Sequence, residues 1–183
     1  MSLYWSSRMI ITALSSNYPL MSKLNTIESK VVTLDGLQKL INIWRLKDQK
    51  IVFTNGCFDL LHLGHIDYLA KAADLGNKLI IGLNSDLSTS NLKGPTRPIT
   101  NEKSRARLLA SLFFVDAVVL FDEPTPFDLI SFVKPDVLVK GADYTIDKIV
   151  GADIVLANGG EVKTIDYIDG YSTTAIENKI RNS

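Results

Sequence analysis

Between residues 54 and 65 the chain reads TNGCFDLLHLGH, directly after the apolar residues 51–53. The apolar run predicts a short buried strand, and an Asn-Gly pair at its end typically turns the chain out of a strand. A helix is predicted to follow, from about residue 65 to residue 75. The stretch therefore connects a buried strand to a helix. It also contains both histidines of the chain, His62 and His65.

Strand and helix patterns alternate along the rest of the chain. Apolar runs of strand length stand at residues 78–83, 117–121 and 137–139, and a last strand is predicted at residues 161–165, after a Gly-Gly turn. Helical patterns stand at residues 101–114, 125–133 and 146–157, with further helices starting at Asp35 and at Ser172 or Thr173. Strands that alternate with helices in this way predict an α/β fold, in which a single parallel sheet is covered on both faces.

Ligands bind such sheets beyond the carboxyl ends of the strands. This rule selects three connections, residues 55–65, 84–100 and 140–144. The middle one is polar and carries one glycine and two prolines, so it is predicted to be a loop. We expect the three connections to meet at one edge of the sheet and to form the binding site.

Composition excludes several classes of protein. The chain has 183 residues, of which 46% are hydrophobic and 22% charged, as in an ordinary soluble domain. Its 20 basic and 20 acidic residues cancel, which argues against binding to nucleic acid or to a membrane surface. No apolar run reaches the roughly 18 residues of a membrane helix. The single cysteine, Cys57, excludes an internal disulfide and fits a reducing compartment, so we expect a cytoplasmic protein.

The beginning of the chain is interpreted separately. In residues 1–20, Arg8 is followed by only a short apolar run, which is not the pattern of a signal peptide. Residues 1–30 are therefore interpreted as a partly disordered N-terminal extension, and residues 31–183 as one folded domain.

The two histidines favour phosphate binding. The start of a helix presents unpaired backbone N–H groups and the positive end of the helix dipole, and both attract phosphate. Imidazoles at this position donate hydrogen bonds to phosphate oxygens, and Gly64 lets an anion approach the backbone closely. Two alternatives stay open: capping or core histidines, and half of a zinc site, for which Cys57 is the only other soft ligand. Cys57 itself is interpreted as a packing residue rather than a nucleophile.

The segment from Gly56 to His65 resembles the HxGH signature of the cytidylyltransferase-like nucleotidyltransferases. The sequence YSTTAI at residues 171–176 resembles the second signature of that family, Ser-Thr-Thr at the start of a late helix. The resemblance implies the HIGH-type nucleotidyltransferase fold, which is a Rossmann-like doubly wound parallel sheet. It implies that residues 31–183 transfer a nucleoside monophosphate from a triphosphate to a phosphorylated small molecule and release pyrophosphate.

Further stretches resemble one branch of the family, the adenylyltransferases that form ADP-heptose for lipopolysaccharide core synthesis. They are NSD (84–86), KGPTRPI (93–99), VDAVV (115–119), EPTP (123–126), VKGADY (139–144) and NGGEV (158–162). This branch implies ATP and heptose 1-phosphate as substrates, a homodimer, and a sugar kinase on a separate polypeptide. Two positions depart from the expected patterns: Ala142 replaces a glycine, and Tyr167 replaces an arginine of the related glycerol-phosphate enzymes.

The resemblance also implies roles for individual residues. Catalysis is assigned to His62, His65 and Lys93. Nucleotide binding is assigned to Thr54, Asn55, Gly56, Phe58, Gly64, Lys140, Gly141, Asp143, Tyr171, Ser172 and Thr173. Candidates for binding the second substrate are Asp59, Asp86, Arg97 and Arg105.

Alternatives accompany these roles. Lys93 can instead be a solvated surface lysine, Ser172 and Thr173 simple helix caps, Asp59 a turn residue, and either arginine the partner of a carboxylate such as Glu102. Mg²⁺ is the expected cofactor, with Asp59 the one candidate ligand. Two other functions stay open: a cytidylyltransferase for glycerol 3-phosphate or another phospho-alcohol, and a nucleotide-binding subunit without turnover.

Overall fold

Six parallel strands form one sheet in the computed structural model, which describes residues 22–142 and 145–182. The strands are β1 (Val31–Val32), β2 (Ile51–Gly56), β3 (Lys78–Asn84), β4 (Ala117–Phe121), β5 (Val137–Gly141) and β6 (Glu161–Ile165). Their order across the sheet is β1-β4-β3-β2-β5-β6, and every neighbouring pair is parallel. The order reverses between β2 and β5, so the two halves of the doubly wound fold meet there. The predicted fold class is confirmed.

Helices connect the strands. They are α1 (Lys23–Glu28), α2 (Leu34–Leu46), α3 (Leu63–Ala73), α4 (Asp86–Lys93), α5 (Glu102–Ala110), α6 (Phe127–Val133), α7 (Ala152–Ala157) and α8 (Thr173–Arg181), with one 3₁₀ turn at Ile146–Lys148. None of the helices within the described ranges is long and apolar enough to cross a membrane.

The strands alternate their side chains between two apolar cores. Ile51 and Phe53 of β2 point to one face, where α2, α6 and α7 pack. Val52 points to the other face, where α3 and α5 pack. Because both faces are covered, the strands read as continuous apolar runs in the sequence. This double covering fixes β2 at the centre of the molecule and aims its carboxyl end at the connections that carry the polar residues.

The predicted N-terminal extension contains one helix in its described part. Helix α1 is capped by Ser22, whose hydroxyl accepts a hydrogen bond from the Asn25 amide at 3.0 Å. Its last residue, Glu28, forms an ion pair with Arg107 of α5. Strand β1 follows and pairs with β4 at the edge of the sheet. Residues 1–21, for which disorder was predicted, lie outside the described residues.

The prediction that residues 84–100 form a loop is wrong for their first half, which is α4. The hydroxyl of Ser85 accepts from the Ser88 amide at 3.1 Å and so starts the helix. The helix ends where Gly94 takes a φ of 98°. Serine and threonine in its middle are residues typical of turns, and they concealed the helix in the sequence. Lys93 is consequently the last helical residue rather than part of a flexible loop.

Other boundaries also differ from the predictions. The helix predicted over residues 146–157 is interrupted, because Gly151 takes a φ of 81°, and only the second part is α-helical. Helix α5 ends at Ala110, not near residue 114. The cap of α2 is Thr33, whose hydroxyl accepts from the Gly36 amide, while Asp35 lies in the first turn.

Candidate active site

The two histidines lie at the connection between β2 and α3. Strand β2 ends at Gly56, and α3 begins at Leu63 with His62 as its cap residue. The side chain of His62 makes no capping hydrogen bond. The His65 amide donates to the His62 carbonyl at 2.9 Å, which closes the first turn. The loop is thus shaped by its backbone, and neither imidazole is used to cap the helix.

The histidine rings are stacked, with centroids 3.8 Å and planes 21° apart. The edge of Phe58 contacts His65 at 5.2 Å between centroids. Phe58 reaches this position with a φ of 45°, unusual for an aromatic residue, and its ring packs over Gly56. The Nδ1 atoms of both histidines are enclosed and make no hydrogen bond. Phe58 therefore serves as a wall for the histidine pair.

Burial holds both imidazoles in the neutral form. It lowers the pKa of His62 below its ordinary value. The pKa of His65 falls to about 4, chiefly because the ring is buried and further because the charges of His62 and Lys93 act on it. At neutral pH both rings are consequently uncharged, although a hydrogen bond with the Leu60 backbone favours the protonated form of His65. The charge of Lys93, the last residue of α4, is thus among the influences that act on the His65 ring.

The second signature lies beside the first. A side chain at Gly64 would come within 3.1 Å of His62 Nδ1 and 3.4 Å of Tyr171 Cβ. A side chain here would crowd the His62 ring and would touch Tyr171, which lies just before α8. Ser172 caps α8, and its hydroxyl accepts from the Ala175 amide at 3.1 Å. The N-terminal ends of α3 and α8 are therefore neighbours, and both present backbone N–H groups at this edge.

Strands β2 and β5 separate at this edge. They are in register only at two pairs, Val52 with Val137 and Phe53 with Leu138. Farther along, the Lys140 ammonium donates to Asn55 Oδ1 at 2.6 Å and so bridges the gap. The resulting crevice lies at the switch point of the sheet, where doubly wound proteins bind ligands.

Two tyrosines line this crevice. The Thr54 and Tyr68 hydroxyls are 2.7 Å apart in a buried hydrogen bond. The ring of Tyr68 lies 5.6 Å from that of Tyr167, between centroids. Tyr167 covers Gly141, because a side chain at Gly141 would overlap the Tyr167 ring and hydroxyl. Thr54 therefore contributes a buried structural hydroxyl, and Tyr167 occupies space above the end of β5.

Arg105 is reassigned from substrate binding to a structural role. Its side chain is 0% exposed and therefore offers no surface to a ligand. The guanidinium donates to the carbonyls of Cys57 at 2.6 Å, Asn84 at 2.8 Å and Thr100 at 3.0 Å. It also pairs with Asp86 at 2.7 Å, which occupies the carboxylate proposed for the second substrate. The residue therefore holds two connections of the site together, residues 55–65 and residues 84–100.

Asp59 is likewise engaged by the protein. Its buried carboxylate accepts from the amides of Ile99 at 2.8 Å and Thr100 at 3.0 Å and from Arg97 at 2.9 Å. Burial alone would raise the pKa of Asp59, but these donors outweigh it and hold the pKa below its usual value. The geometry agrees with the turn role and leaves no oxygen facing a magnesium ion. The second terminal nitrogen of Arg97 pairs with Glu177 at 2.6 Å.

One predicted residue, the metal alternative and two residues that were not predicted remain to be described. Asp143 lies outside the described residues. Within residues 22–142 and 145–182, no three His, Cys, Asp or Glu side chains are grouped so that they could hold a metal. Sequence reasoning missed Tyr68 and Glu177. The only signal for Glu177 is its position one helical turn after Thr173.

Comparisons with known proteins agree with this arrangement. A family model described as cytidylyltransferase-like matches residues 53–179. Similar curated proteins include Bifunctional protein HldE of Paramagnetospirillum magneticum, 55% identical over 147 residues, and that of Methylobacillus flagellatus, 53% identical over 151 residues. These matches cover 80% and 82% of this chain but only 30% and 31% of the relatives, so the chain spans under a third of their length.

Two solved structures are also similar. A lipopolysaccharide core biosynthesis protein from Thermoplasma volcanium is 32% identical, with a TM-score of 0.53, and the match covers 68% of this chain and 99% of that one. A pantoate-beta-alanine ligase from Francisella tularensis, complexed with beta-gamma ATP and beta-alanine, is 17% identical with a TM-score of 0.53 and covers 84% and 78%. The second likeness shows the fold alone.

Proposed function

Because the chain belongs to the cytidylyltransferase-like family and is a nucleotidyltransferase, we propose that it transfers AMP from ATP to heptose 1-phosphate and forms ADP-heptose and pyrophosphate. The product would enter lipopolysaccharide core synthesis. The observation that carries the proposal is the pair of neutral, stacked imidazoles of His62 and His65 at the start of α3. The similarity to the lipopolysaccharide core biosynthesis protein supports this choice of acceptor.

The proposed chemistry is a single displacement at the α-phosphorus of ATP. A phosphate oxygen of the sugar phosphate attacks in line, the new P–O bond forms, and the bond to pyrophosphate breaks. No protein nucleophile is needed, so the protein acts by positioning and by stabilising charge. His62 and His65 donate hydrogen bonds to the triphosphate as its charge shifts toward the leaving group. Lys93 supplies positive charge from the end of α4.

The helix starts hold the nucleotide. The first backbone N–H groups of α3 and α8 converge on the same edge, and Ser172 and Thr173 lie at the second of them. A triphosphate spanning the two helices would meet both dipoles at their positive ends. We place the base over the crevice between β2 and β5, near Lys140 and Gly141, with Asp143 as a further contact.

Mg²⁺ is proposed to accompany the triphosphate. Asp59 is engaged by backbone amides and by Arg97, and the described residues show no other cluster of carboxylates. This fits an ion held mainly by phosphate oxygens and water, the usual arrangement for magnesium with nucleotides. When bound, the ion would offset the charge of the pyrophosphate.

The experiment combines each nucleoside triphosphate with either heptose 1-phosphate or glycerol 3-phosphate and measures pyrophosphate. We expect release only with ATP and heptose 1-phosphate, in the presence of magnesium. If CTP were the only triphosphate that supported pyrophosphate release, the adenylyl assignment would be refuted and the cytidylyltransferase alternative favoured. Lack of release with every pair, together with measurable nucleotide binding, would leave the non-catalytic subunit as the function.

A further inference from the structure

We propose that Arg97 is a positioning residue that ties α8 to the histidine loop and thereby sets the distance between the two signatures. Its guanidinium contacts Asp59, which precedes His62 by three residues, and Glu177, which lies on the second turn of α8. No other ion pair that the structure describes joins these two segments. The kinetic part of this inference rests on the proposed function, whereas its structural part does not.

Both partners of Arg97 are carboxylates at hydrogen-bond distance. One terminal nitrogen lies 2.9 Å from Asp59 Oδ2, and the other lies 2.6 Å from Glu177 Oε2. The side chain of Arg97 is 16% exposed and that of Glu177 20%. A planar guanidinium can donate to two carboxylates in this way while its side chain loses little additional conformational entropy. Its donors are therefore directed at protein, not at the crevice.

Helix α8 depends on such a tie because apolar packing does not fix it. None of its residues is fully buried, and Ile180 is 69% exposed. By contrast, α3 buries Tyr68, Leu69 and Ala72 against the sheet. A helix that lacks a buried apolar stripe is free to shift on the surface unless polar contacts hold it. The ion pair between Arg97 and Glu177 is a partly buried contact of this kind.

The position of α8 matters because its first residues complete the site. Tyr171 lies against Gly64, and Ser172 caps the helix whose N–H groups face the same edge as the histidines. A displacement of about 1 Å between groups that act together can lower a rate by roughly 100-fold. Arg97 thus acts through α8, without touching the substrates.

The test compares Arg97→Gln, Glu177→Gln and the double variant. Each single variant is expected to lower kcat/KM by about 10- to 100-fold. The kcat/KM of the double variant should lie within about threefold of that of the less active single variant. The reason is that the effects of two residues that act through one contact are not additive. Arg97→Lys, which keeps the charge but loses the fork, should recover only part of the activity.

The matched control is Glu161→Gln. Glu161 forms ion pairs with Lys50 at 3.1 Å and Lys163 at 2.9 Å, but it begins β6 at the opposite edge of the sheet. Its loss should leave kcat/KM unchanged. Thermal unfolding of every variant verifies that the fold is retained.

Amide hydrogen exchange without substrates provides a readout that needs no reaction. Exchange in α8 and in residues 57–62 should become faster in both single variants and stay unchanged in Glu161→Gln. If the wild-type chain released no pyrophosphate, the proposed function would fail, and the exchange result would still decide the role of Arg97. Unchanged exchange in α8, or a Glu177→Gln variant as active as wild type, overturns the inference.

Discussion

His62 and His65 lie face to face, with ring centroids 3.8 Å apart, at the first turn of α3. Two protonated imidazoles at that separation would repel each other, and burial already disfavours the charged form of each. The pair is therefore a neutral donor surface that is completed by the positive charge of Lys93. Two predictions test the histidine pair, one its part in turnover and the other its neutral state.

Replacement of His65 by alanine should lower kcat by about 100- to 1,000-fold, because a donor to the reacting phosphate is lost. Unfolding in urea should show that the variant remains folded. Phe113→Ala is the control, since Phe113 is 92% exposed and lies just before β4, at the amino edge of the sheet, and its removal should not affect turnover. A His65→Ala variant of nearly normal activity would remove His65 from the catalytic assignment.

The free energy of unfolding should fall as the pH is lowered from 6.5 toward 4. In the unfolded chain a histidine takes up a proton below its ordinary pKa of 6.5, whereas folded His65 does so only below about 4. Stability from the neutral ring is thus complete above pH 6.5 and is lost in that window, by up to about 3 kcal/mol. The lowered pKa of His62 acts in the same direction.

Urea unfolding at a series of pH values measures this effect. The variant His65→Gln cannot be protonated, so its stability should depend less steeply on pH between those limits. The lowered pKa of Asp59 acts below its ordinary value of 3.8 and stays outside the window. Parallel curves for the two proteins would contradict a depressed pKa at His65.

Gly64→Ala should impair activity while changing stability little. The new methyl group would stand 3.1 Å from His62 Nδ1, closer than an ordinary contact, so the His62 ring must shift. We expect kcat/KM to fall by about 10- to 100-fold. Gly36→Ala is matched to it, because Gly36 also lies in the first turn of a helix and its methyl group would meet only ordinary contacts of 3.4 Å or more.

The control should keep full activity and gain up to about 1 kcal/mol in unfolding free energy, from the better helix propensity of alanine. Steady-state kinetics and urea unfolding of both variants provide the comparison. Equal activity of Gly64→Ala and Gly36→Ala would show that the position of the His62 ring beside Gly64 is not critical.

Arg105→Lys should destabilise the fold by about 2–4 kcal/mol. A lysine cannot reach the three carbonyls and Asp86 together, so buried acceptors lose their donors. Arg107→Lys on the same helix is the control, because Arg107 is 44% exposed and pairs only with Glu28 in the described contacts; it should cost less than about 1 kcal/mol. Urea unfolding measures both, and similar losses would contradict the structural role of Arg105.

The sheet and the histidine loop were predictable because both follow from local patterns. Continuous apolar runs such as residues 51–53 specify strands buried on two faces, and the turn after them specifies the site edge. Helix α4 was not predictable in the same way. It depends on a cap at Ser85 and on the buried Asn84–Ser88 hydrogen bond, contacts that composition does not reveal.

The roles of charged residues were harder to predict than their presence. Arg97 and Arg105 look alike in the sequence, as cations in a polar connection near a binding site. Arg105 is fully enclosed, whereas Arg97 joins Asp59 to Glu177, a residue 80 positions farther along the chain than Arg97. Such assignments depend on which segments the tertiary fold brings together, and a single sequence carries no signal for that.

Gly141 and Tyr167 share one volume above the end of β5, because any side chain on the first would overlap the ring of the second. We therefore expect the two positions to change together during evolution. Among diverging homologues, we expect a larger residue to appear at the glycine only where the tyrosine has already been exchanged for something smaller or has swung outward. Gly141 and Tyr167 would thus determine the shape of this end of the crevice together rather than separately.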